Sequence, residues 1–146
     1  MNPILRNVIA VILGLVFGSV VNGMIINFSG VIIPFPEGYD YSTPESMRET
    51  FHLLEAKHMI LPWIAHALGT LIGAFWASKF SASKHYSMAM IVGIFFLLAG
   101  ISMVYMVQVQ PMWFTLTDLL LAYLPMAFIG WKISGKPKDA PKHFTN

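Results

Sequence analysis

Met59-Ile-Leu-Pro-Trp-Ile-Ala-His-Ala-Leu-Gly-Thr-Leu-Ile-Gly-Ala-Phe-Trp-Ala-Ser78 contains no Asp, Glu, Lys or Arg. As a helix rising about 1.5 Å per residue it is long enough to cross the roughly 30 Å of hydrocarbon in a bilayer. Within it Ala65, Gly69, Gly73 and Ala77 recur every fourth residue, so small side chains form one continuous ridge along a helical face. Ala10, Gly14, Gly18 and Asn22 repeat that spacing upstream. Two such ridges allow an antiparallel pair of helices to approach backbone to backbone, with Asn22 level with Ala65 and His66. The expectation is an all-α membrane protein built around that pair.

Composition agrees. Hydrophobic residues make up 56% of the 146 and charged residues 11%, with a mean hydropathy of +0.65, whereas soluble domains carry about 25% charged residues. The length suits a single four-helix transmembrane domain. Without cysteine there is no thiol redox chemistry, no disulfide and no thiolate metal site. Nothing resembles a nucleic-acid-binding motif, so the lipid bilayer is the expected partner.

The periodicity and charge breaks predict four spans, at about 8–28, 59–78, 86–107 and 116–133. The first follows Arg6, as a signal peptide would. It runs well beyond an ordinary signal core, however, and no small-residue cleavage pattern follows, so it is read as an uncleaved span. Pro62 is expected to bend the entry to the second span and Pro125 to kink the fourth. Seven of the nine basic residues, Arg6, Lys79, Lys84, Lys132, Lys136, Lys138 and Lys142, fall at one end of this arrangement. By the positive-inside rule that end, with both termini, is cytoplasmic. The compact four-span plan suits a bacterial inner (plasma) membrane, and residues 134–146 read as a flexible basic tail.

The connection between the first two spans carries Glu37, Asp40, Glu45, Glu49 and Glu55 against Arg48 and Lys57. Thr43-Pro44-Glu45 is a helix start: a capping hydroxyl, a proline in the first turn and an early acid. Met47, Phe51, Leu54 and His58 share a face of the helix expected at 44–58, which makes it an amphipathic surface helix on the outer side.

Polar residues inside the spans are the candidates for function, since each is costly in hydrocarbon. Placed by depth, Asn22, Asn27, His66, Thr70, Ser102, Tyr105, Gln108, Asp118 and Tyr123 gather in the outer half. The inner half is mostly aliphatic, aromatic or small. That one-sided layer predicts an outward-facing pocket, not a through-channel, with His66, Asn22, Thr70, Asp118 and Tyr123 binding a small or amphipathic ligand, a role compatible with a transport process. A plainer role for His66 is an interhelical hydrogen bond to Asn22, and for Asp118 a capping box with Thr115.

Two other classes remain open. Glu55, His58 and His66, folded together by a bend at Pro62, form a ligand set that zinc or iron tolerates, which would make the protein a membrane-embedded metal-dependent enzyme. Alternatively the chain is a structural or assembly subunit, with Gly93 and Gly100 on the third span offering a ridge to a second protomer of a homo-oligomer.

Overall fold

A computed structural model describes residues 1–139. Six α-helices build it: α1 (Pro3–Ile32), α2 (Pro44–Thr50), α3 (Ile60–Phe80), α4 (His85–Val107), α5 (Met112–Leu121) and α6 (Leu124–Ile133). Among the described residues there is no strand. Four helical stretches are long and apolar enough to span a membrane: Pro3–Ile32, Ala56–Phe80, His85–Val107 and Met112–Ile133. The fourth contains both α5 and α6. Large apolar side chains on the outside of α1 and α4, among them Ile12, Val16, Val20, Phe95, Leu98 and Ile101, are exposed, as expected of surfaces that meet lipid tails. The chain is therefore a multi-pass helical membrane protein.

The two small-residue ridges meet. A Cβ on Gly14 would stand 2.5 Å from the Gly73 carbonyl oxygen and 2.8 Å from the Ala77 Cβ, and one on Gly18 would stand 2.6 Å from the Gly69 oxygen. In the other direction, a Cβ on Gly69 would lie 2.9 Å from the Gly18 oxygen and 3.0 Å from the Asn22 Cβ. No side chain fits between these backbones, so hydrogen alone at these positions lets α1 and α3 close to contact.

The helix ends hold the remaining elements in place. At one end, which carries Lys79 and Lys84, the Arg6 Nε donates to the Phe80 carbonyl at 2.9 Å. The Asn7 side-chain oxygen accepts from the Ala82 and Ser83 amides at 2.8 and 3.2 Å. The backbone beyond α6 returns to α4, where Asp139 accepts from the Ser87 amide at 3.1 Å, and Lys138 lies 5.5 Å over the Tyr86 ring. Asp139 thus supplies an acceptor to the first turn of α4, which has no side-chain cap of its own. The part of the expected flexible tail up to Asp139 is accordingly docked; Lys142 and the rest of 140–146 lie outside the described residues.

At the opposite end, residues 34–59 form a lid. Its start is as expected: Thr43 Oγ1 accepts from the Ser46 amide and Ser46 Oγ accepts from the Thr43 amide, each at 3.1 Å, with Pro44 in the first turn. The continuous helix expected over 44–58 is not formed. α2 stops at Thr50, and two short 3-10 turns, Phe51–Leu53 and Ala56–Met59, follow an extended break at Leu54. The breaks let Phe51 and Met59 both turn inward onto Val107 and Phe114, with Met47, Leu54 and Trp63 around them. A straight helix holds His58 and Phe51 on one stripe; the broken one aims each separately. Arg48 fastens the lid to α4 by donating to the Met106 carbonyl at 2.5 Å and the Val107 carbonyl at 3.3 Å, two acceptors that the last turn of a helix leaves without partners.

The two prolines act differently. Pro62 falls in the first turn of α3, where a missing N–H costs little, just after the 3-10 turn Ala56–Met59 passes into the α-helix at Ile60. Pro125 sits at the start of α6, and the fourth span breaks at Ala122 and Tyr123. The expected kink is thus a complete interruption. Gly93 and Gly100 also differ from expectation: both are buried, Gly93 against Ala127 and Gly100 against the Tyr123 ring. They seat the fourth span of the same protomer and offer no ridge to another.

Candidate functional site

α3 and the fourth span both run from the lid end inward. His66 is the seventh residue of α3, counting from Ile60, and Asp118 the seventh of α5, counting from Met112. Both therefore lie about 9 Å along their helices, level with each other. The His66 Nδ1 is 2.8 Å from Asp118 Oδ1. With a carboxylate as its partner, Nδ1 carries the ring proton and donates it. The Tyr123 hydroxyl donates to Asp118 Oδ2 at 2.8 Å, its oxygen lies 3.1 Å from His66 Nδ1, and the two rings stack at 5.8 Å and 27°.

This triad depends on two local features. The break at Ala122–Tyr123 turns the Tyr123 ring back along α5 toward Asp118, five residues earlier. Gly100 provides the room: a Cβ there would collide with the Tyr123 hydroxyl and stand 2.7 Å from Cζ. Asp118 is 3% exposed, and both its oxygens are held by neighbours. A carboxylate at such depth is tolerable only when so partnered.

Asp118 is therefore not a helix cap. The capping-box reading assumed a helix starting at Leu116, whereas Pro111 ends the preceding turn and the helix starts at Met112. That shift moves Asp118 into the second turn, away from any free amide. The expected His66–Asn22 bond is also absent, because the His66 Nδ1 is turned toward Asp118. Thr70 donates to the His66 carbonyl on its own helix at 2.8 Å and is fully buried; its hydroxyl is used within α3 and lines neither chamber described next.

Two chambers meet at His66. The smaller, about 250 Å³, is bounded by Ser19, Asn22, His66, Gly100, Gln110, Asp118 and Tyr123, with apolar residues of α4. The larger, about 590 Å³, lies under the lid between Phe35, Tyr39, Tyr41, Met47, Phe51 and Met59, and is walled on one side by Ile26, Asn27, Gly30 and Val31 of α1. Asn22, His66, Met103, Gln110 and Phe114 border both. Combined, the space is of the size that holds a small organic ligand.

The chamber roof is aromatic. Phe35 packs on Tyr39 at 5.1 Å and Tyr41 at 5.5 Å, and its ring covers Gly30, where a Cβ would lie 2.9 Å away. Burial, helped by the neighbouring Tyr41 and Asp40, pushes the Tyr39 phenol above its usual range.

Sequence reasoning missed Gln110 and the Phe35–Tyr39–Tyr41 cluster. These sit in irregular segments where no periodicity marks an inward face. Conversely Ser102, Tyr105 and Gln108, placed in the polar layer by depth, are exposed; depth alone does not give the direction a helix face points.

The three residues read as metal ligands do not come together. His58 is buried, with Nδ1 taking the Glu55 amide at 2.9 Å and Nε2 3.2 Å from the Pro34 carbonyl oxygen. Glu55 pairs with Lys57 at 3.1 Å on the outside of the lid, and His66 turns to Asp118. Among the described residues no three His, Asp or Glu side chains are grouped to hold a metal ion. The physical reason is the break at Leu54–Glu55, which uses His58 to close a 3-10 turn and tie it to Pro34.

With Nδ1 taken by Asp118, the ring nitrogen that His66 has left for an occupant is Nε2. Asn22 and Gln110 add amides that can donate or accept. The arrangement is able to grip a polar head while the aromatic chamber takes an apolar body. Compared with known proteins, the chain matches no family model, no curated protein and no solved structure, so its chemistry is read from these residues alone.

Proposed function

We propose that this protein binds an amphipathic small molecule beneath its acidic lid, with the polar end at His66, Asn22 and Gln110 and the apolar part in the aromatic chamber. The observation that carries the reading is the pairing of His66 with the buried Asp118 at the junction of the two chambers. A buried ion-pair-like contact contributes little net stability, and ionisable side chains inside a membrane bundle ordinarily mark a site of function. The lysine-rich end, by the positive-inside rule, is the cytoplasmic one, which puts both termini in the cytoplasm and the lid on the outer face. A bacterial plasma membrane suits this orientation. The ligand then enters from the outer leaflet or the space above it, and the aliphatic inner half closes the route below, as in a receptor or the outward-open state of a transport cycle.

Photolabelling tests this reading. Protein in nanodiscs is exposed to a monoacylglycerol bearing a mid-chain diazirine, and adducts are mapped by mass spectrometry. Adducts at Met47, Phe51 or Met103 that fade in His66→Ala and Asn22→Leu variants of unchanged stability are the expected result. Labelling confined to lipid-facing residues such as Phe95 and Leu98, or unaffected by those variants, refutes it.

A further inference from the structure

Building on that site, we infer that its ligand has an uncharged, hydroxyl-bearing head group. No Lys or Arg borders either chamber. The two basic residues of the lid are engaged elsewhere, Arg48 on the α4 carbonyls and Lys57 on Glu55. A phosphate or carboxylate entering the site would find no Lys or Arg to replace its water by charge-assisted bonds, and the lid over the larger chamber carries five acidic residues, Glu37, Asp40, Glu45, Glu49 and Glu55. An ammonium head is disfavoured for a different reason. The one carboxylate at the site, Asp118, is 3% exposed and has an oxygen on each of His66 and Tyr123, so its charge is shielded behind those rings.

What the chambers offer instead is a set of neutral acceptors and donors. His66 presents Nε2. Gln110 Oε1 is buried without a hydrogen-bond partner among the described residues, and a buried polar atom of that kind is a vacancy for a donor. The Asn22 amide, which bonds no other described side chain, can donate to an oxygen of the head. A hydroxyl is the group that gives a proton to one such atom and accepts from another, so it pairs with Gln110 Oε1 as donor and with the Asn22 amide as acceptor. The aromatic roof and the volume of about 590 Å³ suit an alkyl or isoprenoid chain. The chemical class is a neutral lipid alcohol, of the monoacylglycerol or long-chain alcohol type.

Competition with the photoactivatable monoacylglycerol decides the head group. Unlabelled competitors share one acyl length and differ in the head: a monoacylglycerol, the fatty acid, the lysophosphatidate and the alkylamine, each corrected for its partition into the nanodisc. The monoacylglycerol is expected to suppress chamber labelling at a concentration at least tenfold below that of any charged competitor. In His66→Phe, which keeps an aromatic ring against Tyr123 but removes Nε2, that preference should fall to near unity. If this variant does not fold, Gln110→Leu serves, with an expected severalfold loss for the alcohol alone. A charged competitor that matches or beats the monoacylglycerol in wild-type protein overturns the head-group inference while leaving the binding site standing. Chamber labelling absent altogether removes both.

Discussion

The Tyr123–Asp118–His66 arrangement rests on a missing methyl group, and Gly100→Ala restores it. In the wild type the Gly100 Cα faces the phenol; a Cβ would stand 2.7 Å from Cζ and 2.9 Å from Cε2 of Tyr123, and closer still to the hydroxyl. Carbon atoms prefer 3.5–4.0 Å, so the ring has to move by roughly 1 Å. That is enough to break a 2.8 Å bond to Asp118. Overpacking of this sort costs about 1–3 kcal/mol, and loss of one hydrogen bond to a carboxylate inside a bundle about 1–2 kcal/mol. Tyr123→Phe removes the hydroxyl, the atom in closest conflict, and should itself cost about 1–2 kcal/mol. A double-mutant cycle in detergent, read by reversible unfolding in SDS, is expected to give Gly100→Ala/Tyr123→Phe a cost below the sum of the singles by about 1 kcal/mol. The His66 ring resonances in ¹⁵N NMR should shift in all three variants, since the phenol oxygen 3.1 Å from Nδ1 is displaced or removed while Asp118 remains. Strict additivity, together with an unmoved His66 signal, would refute the claim that Gly100 exists to seat the phenol.

Two further outcomes follow from the packing. Gly18→Ala, whose Cβ would meet the Gly69 oxygen at 2.6 Å, should destabilise by about 1–3 kcal/mol, whereas Gly23→Ala, with nothing within 4 Å, should be neutral or stabilising by up to about 1 kcal/mol through helix propensity; equal effects in SDS unfolding would contradict the ridge. Arg48→Ala should free the Met106 and Val107 carbonyls and raise hydrogen exchange across residues 44–59 severalfold without changing α3; unchanged lid exchange would show that the apolar contacts of Phe51 and Met59 suffice.

Much of the fold was legible in the sequence because a membrane simplifies the problem. Residues 59–78 have to form a helix in lipid, since no other local structure satisfies the backbone there. Spacing of four then fixes which faces meet, and Gly14, Gly18, Gly69 and Gly73 meet as the spacing requires. The lid was less legible. Its apolar residues fit one helical stripe, yet packing onto Val107 and Phe114 is served better by two short turns, and tertiary contact overrode propensity. The site was half legible. Depth singled out His66 and Asp118, and a cap at Pro111 in place of Thr115 puts Asp118 at the seventh position of its helix, the position His66 has in α3. No local pattern marks Gln110 or the back-turned Tyr123, which depend on a break whose direction only the surrounding helices decide.

α1 is about 45 Å long by its 30 residues, some 15 Å more than an average hydrocarbon slab. Its last turns are also a wall of the larger chamber. Locked to α3 by the glycine ridge, it cannot absorb the excess by leaning on its own; the pair has to tilt together, or the end has to protrude. Hydrophobic mismatch thereby sets how far the chamber mouth stands above the lipid headgroups. A thin bilayer lifts the mouth toward water, and a thick, sterol-like one draws it down to the acyl boundary.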